Sequence, residues 1–203
     1  VLSTNQTAGE GVASATGDNY GHMSGVEANG FTVTHTINSN DDGGTIRKGT
    51  HFLNDTYVAW NWKANGGTTS TIAVDSVSSG VPSIASTVQA NTDAGFSIVT
   101  YNIGSSGVKT VGHGLTKAPE VIINKGRDQT SAWWTFTTVI DGTLDYLRLD
   151  EATAKADDSL LSVPTSSVFS QVENYTLQQN VVSYCFHSVE GYSKFGSYTG
   201  NGS

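Results

Sequence analysis

The chain has 203 residues, with 18 acidic against 10 basic side chains and a formal net charge of −8. That balance argues against nucleic-acid binding, which needs a basic patch for the phosphates, and no run of about 18 apolar residues offers a membrane-spanning helix. Charged residues make up only 14% and hydrophobic ones 36%, so the chain is not of the disordered type.

Four Trp, eight Tyr and seven Phe accompany β-branched residues and 23 Gly, with only 3 Pro. Aromatic and β-branched residues suit a pleated, half-buried surface, and Gly, Asn and Ser suit the turns between. The fold class read from this is all-β. The start at Val1 in place of Met implies an upstream segment, and no leader sequence is visible.

Taken in chain order, residues 1–64 read as the back part of one β module. Leu2 to Thr7 lines up with Leu147 to Ala152, and Gly30-Phe31-Thr32-Val33 with Val168-Phe169-Ser170-Gln171. Between Phe31 and Tyr57 lies an insertion rich in loop chemistry. It holds Asn40, Asp41 and Asp42, the candidate Ca²⁺ ligands, as an incomplete set. Tyr57-Val58-Ala59-Trp60-Asn61-Trp62 then matches Val181-Val182-Ser183-Tyr184-Cys185-Phe186. Both end in aromatic–x–aromatic, which puts two rings on one face of a strand. Trp60 and Trp62 are therefore expected in the core.

Residues 65–94 are rich in Ser, Thr, Gly and Val, and form a linker or an edge hairpin; Ser70 to Val74 and Ser83 to Val88 alternate as strands do. Residues 95–190 read as a complete module. Its expected strands are 96–101, 109–112, 120–125, 133–139, 146–149, 169–172 and 181–186, with a helical turn or loop at 151–160. Residues 191–203 open a further repeat, because Gly191-Tyr192-Ser193-Lys194-Phe195-Gly196-Ser197-Tyr198 echoes Gly95-Phe96-Ser97-Ile98-Val99-Thr100-Tyr101 with one residue inserted. Many short strands between turn signals predict antiparallel β-sandwich or jelly-roll-like modules in tandem, with a β-solenoid as the alternative.

Chemistry-bearing patterns are few. The chain has no GxSxG elbow, phosphate loop, dinucleotide fingerprint or HExxH pair. The carboxylate pairs Asp41/Asp42 and Asp157/Asp158 are adjacent, and neighbours on an extended backbone point opposite ways, so neither forms an acid–nucleophile couple. Cys185 stands alone in a strand-like run and reads as a small buried apolar residue. His113, between Gly112 and Gly114, is either a turn histidine or a ligand contact. Trp133 and Trp134 should face opposite sides of a strand, one in the core and one outward. The outward ring either packs on a neighbouring module or subunit or stacks on a sugar. The candidate binding residues are thus Trp133, Trp134 and His113. No cofactor and no catalysis are expected.

The motifs Tyr57 to Ala64, Ala94 to Tyr101, Val111-Gly112-His113-Gly114-Leu115 with Ala118-Pro119, and Glu190 to Ser203 resemble the repeated modules of marine bacteriophage tail-fibre-like virion proteins. The resemblance covers most of 55–203, and the inserted loop at 40–53 departs from it. It implies a virion surface protein: a structural module of a fibre or outer decoration, assembling with copies of itself or with other virion proteins. The alternative is a lectin-like module that binds host-surface glycan. The family supplies no catalytic residues.

Overall fold

The computed structural model describes residues 22–27, 30–34, 61–64, 66–76, 81–104, 107–128, 130–176 and 180–201. The candidates Asn40, Asp41, Asp42 and Trp60 lie outside the described residues. The chain divides into two compact units, Val1–Leu2 with Glu10–Asn61, and Ser3–Gly9 with Trp62–Ser203. In the first, β1 (His22–Glu27) and β2 (Gly30–Thr34) form an antiparallel hairpin whose register shifts between Met23 and Gly25.

The second unit is built on one eight-stranded sheet. Its strands are β3 (Ser70–Ile72), β4 (Ser86–Asn91), β5 (Phe96–Asn102), β7 (Val121–Gly126), β8 (Trp134–Thr137), β9 (Asp145–Arg148), β10 (Ala156–Asp157) and β12 (Asn180–Phe186). Their order is β10-β9-β8-β7-β12-β5-β4-β3, and every neighbouring pair is antiparallel. A second layer pairs β6 (Lys109–Gly112) with β11 (Val168–Gln171), and one turn of helix, α1 (Glu173–Thr176), follows β11. The fold is therefore all-β and sandwich-like. Antiparallel pairing also separates it from a solenoid, whose stacked strands would run parallel. Among the described residues of 65–94, β3 pairs antiparallel with β4 at one edge of the sheet.

Alternation decides which face is core. The registers set Val88, Val99, Tyr101, Val181, Cys185, Ile122 and Phe136 on one side. These side chains, with Val111 and Phe169 of the second layer and Leu115, Leu144 and Leu161 from loops, form the buried cluster. Val99, Val111, Val181 and Cys185 are fully buried. Burial of this kind contributes about 1.5–3 kcal/mol for a side chain the size of Val or Leu.

The opposite face carries Thr87, Gln89 and Asn91 on β4, Phe96, Ile98, Thr100 and Asn102 on β5, and Val182, Tyr184 and Phe186 on β12. Here Phe96 stacks on Phe186 with centroids 4.7 Å apart.

The two glycines that begin the repeated motif both have positive φ, Gly95 at 63° and Gly191 at 74°. They differ in surroundings. A Cβ on Gly95 would lie 2.6 Å from the His187 carbonyl oxygen and 2.8 Å from Val189 Cγ2, whereas a Cβ on Gly191 meets nothing within 4 Å. Gly191→Ala should cost about 1 kcal/mol of backbone strain. Gly95→Ala should cost about 3 kcal/mol, because overpacking against a backbone oxygen adds to that strain. Urea unfolding of the two variants checks the difference, and equal midpoints would contradict it.

Candidate functional site

The three binding candidates from the sequence do not converge. His113 is fully buried. Its Nδ1 accepts from the Leu115 backbone N–H at 3.1 Å, and Nε2 faces the Thr165 carbonyl oxygen at 3.2 Å. With both nitrogens engaged, the ring is the neutral tautomer protonated at Nε2. It holds the 113–115 turn against the 165 loop, a turn histidine in the core and not a surface ligand.

Trp133 and Trp134 do face opposite ways, but neither offers an open platform. Trp133 is buried, stacked on Tyr184 at 6.4 Å, with Lys125 Nζ 5.7 Å from its ring centroid. Lys125 is itself buried and donates to the Ser131 carbonyl at 2.5 Å; burial pulls its pKa down. Trp134 is half-buried under Tyr175 at 4.7 Å, Tyr146 at 5.4 Å and the Arg148 guanidinium at 4.3 Å. Covering neighbours from β9, β12 and α1 supply what strand alternation alone could not show.

Among the described residues the exposed tryptophan is Trp62, expected in the core and found 57% exposed outside any strand. One edge of its ring rests on Phe186 at 6.0 Å, and Phe96 lies 6.5 Å away. This aromatic base fixes the indole at the surface. Trp62 immediately precedes a groove of about 440 Å³, lined by Lys63, Ala64, Gly66, Ala90, Asn91, Thr92 and Asp93. Asn91 shapes it: Nδ2 donates to the Lys63 carbonyl at 3.0 Å, and Oδ1 accepts from Ala94 N–H at 3.1 Å. The first bond ties the Trp62 segment to the β4–β5 turn. Lys63, Thr92 and Asp93 thus line a groove, and Trp62, next to Lys63 in sequence, rests on Phe186.

A second cluster was not visible in the sequence. Lys155 Nζ lies 2.5 Å from Asp141, 2.7 Å from the buried Asp145 and 2.9 Å from Asp157. These three carboxylates are close enough to hold a metal ion, but the Lys155 ammonium already fills that position. The Lys155 hydrogen bond holds the Asp141 carboxyl below the usual carboxylate range. Asp158, paired with Asp157 in the sequence, is turned elsewhere. It caps the Leu160 and Leu161 N–H groups and accepts from the Tyr175 hydroxyl.

Burial lowers the His113 pKa from 6.5 to about 4. The unfolded chain then binds more protons than the folded one between those values. The stabilisation is whole above pH 6.5 and is lost as pH falls towards 4, by about 3 kcal/mol. His113→Asn should be less stable at pH 7 yet lose less between pH 7 and 4.5. Denaturant melts at the two pH values measure this, and parallel losses in parent and variant would refute it.

No curated protein and no solved structure matches the chain. The family model described as Domain of unknown function (DUF7483) matches residues 1–203, and the chain belongs to that family.

Proposed function

We propose that the chain is an attachment module of a virion surface protein, a phage fibre or outer decoration, and that it holds carbohydrate on the Trp62 groove. The virion setting comes from the resemblance of its repeated motifs to tail-fibre-like modules. The observation that carries the binding is the 57% exposed Trp62, whose neighbour in sequence, Lys63, lines a groove with Thr92 and Asp93. The C–H face of a sugar ring packs on an indole, and its hydroxyls take hydrogen bonds from polar groups at the edge. An indole fixed by Phe186 loses little side-chain freedom when a ligand arrives, which favours affinity.

Trp62→Ala should weaken glycan binding at least tenfold, corresponding to about 1.4 kcal/mol or more, while the thermal transition stays close to the parent's. A glycan array with parent and variant tests this. Silence of the parent on host polysaccharides, or equal signals from both proteins, would sink the reading.

A structural role in assembly has its own support. In β5 the motif aromatics Phe96 and Tyr101 are 4% and 6% exposed, whereas Tyr192 and Tyr198 of the repeated motif are 68% and 94% exposed. Rings of that size in solvent suit contact with another module or copy. Sedimentation velocity should show self-association of the parent that Tyr192→Ser with Tyr198→Ser reduces. A monomer at every concentration tested would count against assembly through these rings.

A further inference from the structure

The Trp62 groove sits at one end of the β4–β5 pair. A second groove, of about 280 Å³, sits at the other end, with Thr71, Thr87, Thr100, Asn102, Arg127 and Asn180 among its lining residues. We infer that the two grooves are the ends of one extended cleft that takes an acidic oligosaccharide, with a sugar carboxylate at the Arg127 end. The inference rests on the reading of Trp62 as a sugar platform.

Register supplies the continuity. Asn91 pairs with Phe96, Gln89 with Ile98 and Thr87 with Thr100. Side chains two residues apart share a face, so Asn91, Gln89 and Thr87 run beside Phe96, Ile98, Thr100 and Asn102 on one surface. Gln89 and Ile98, between the grooves, are half-buried. From Phe96 to Asn102 the strand advances about 20 Å, which suits a short oligosaccharide and exceeds one sugar ring.

The chemistry changes along the cleft. At the Trp62 end, an aromatic face meets both charge signs, Lys63 and Asp93. At the far end the lining residues are Thr, Ser, Asn, Tyr, Ala and Arg127, with no acidic residue among the described ones, in a chain of net charge −8. Thr71, Thr87 and Thr100 stand in one row across β3, β4 and β5. Asn102 Nδ2 donates to Asn180 Oδ1 at 3.2 Å, and Asn102 Oδ1 accepts from Gly104 N–H at 3.0 Å, so the amides are oriented before any ligand arrives. The nearby Asp128 carboxylate is turned to the Asn180 backbone N–H at 3.0 Å. Arg127 is fixed through its own backbone N–H, which donates to the Asn180 carbonyl at 2.9 Å. A guanidinium has five N–H donors, enough to grip a carboxylate while keeping other contacts.

The test uses the full chain and two probes of equal length, tetragalacturonate and its methyl ester, titrated calorimetrically at low salt. The parent should bind the acid at least tenfold more tightly than the ester. Arg127→Gln should abolish that preference by weakening the acid at least tenfold more than the ester, while Trp62→Ala should weaken both probes. If Arg127→Gln fails to fold, Arg127→Lys replaces it, with a reduced preference expected because the planar fork is lost. Equal binding of acid and ester by the parent, or an unchanged preference in the Arg127 variants, overturns this inference and leaves the Trp62 platform standing. Failure of the parent to bind either probe also overturns this inference, while the Trp62 platform is decided separately by the glycan array.

Discussion

The structure of the larger unit hangs on the double pairing of β12. Seven residues, Asn180–Phe186, pair with β5 on one side, and six of them pair with β7 on the other. Val181, Ser183 and Cys185 have no exposed surface. The strand joins the β3–β4–β5 half of the sheet to the β7–β10 half, so a slip of one residue would turn its core side chains to the opposite face. Its last residue, Phe186, supports Phe96 and Trp62, and His187 N–H donates to the Gly95 carbonyl at 2.9 Å. The surface indole is thus held by the same register that closes the core.

Much of this architecture was legible in the sequence. The runs around Phe96, Val121, Phe169 and Val181 alternate or are apolar throughout, and each became a strand. What failed depended on distant neighbours. Trp62 sits in an aromatic–x–aromatic run like Tyr184 and Phe186, yet residues 61–64 have no strand assignment, so the expected pairing of rings on one core face does not apply to it. Trp134 needed Tyr175 and Arg148 to cover it, from 41 and 14 residues further along. The segment 151–160, read as a helical turn or loop, is loop apart from the two residues of β10, placed by their pairing to β9. The short helix lies at Glu173–Thr176, where a four-residue run carries too little periodicity to be read.

The interior is more polar than an aliphatic sandwich, and its polar groups serve position more than binding. The Tyr101 hydroxyl and Ser183 Oγ are 3.1 Å apart inside the core, and Ser86 Oγ donates to the Gly112 carbonyl at 2.7 Å, linking the two layers. His113 and Lys125 each bond a backbone carbonyl in a neighbouring loop. Burial raises the Cys185 thiol pKa, so this lone cysteine is an inert packing residue. Such bonds are worth about 1 kcal/mol each when made, but leaving a buried partner unsatisfied costs about 1–3 kcal/mol. They therefore act mainly against alternative packings, fixing loops that hydrophobic contact alone would leave several ways to settle.

The repeated motif shows how far strand formation depends on partners. Phe96 to Tyr101 and Tyr192 to Tyr198 share aromatic ends and begin after glycines of matching φ. The first lies between β4 and β12 and forms seven residues of strand. The second forms a single bridge, Val189 to Ser193, across a turn at Gly191 and Tyr192, and has no strand pairing beyond it among the described residues. It is still anchored. Phe195 packs on Phe186 at 5.7 Å, and its N–H donates to Ser188 Oγ, which Glu120 holds in turn. Local preference differs as well, since Ile98-Val99-Thr100 is β-branched while Lys194 and Gly196 are poor strand residues, and only the first segment has the β4 and β12 ladders. Residue choice and neighbouring strands thus act in the same direction. This also explains why a ring is core at position 96 and surface at position 192: the motif supplies the aromatic residue, and the strands around it decide which way that residue is used.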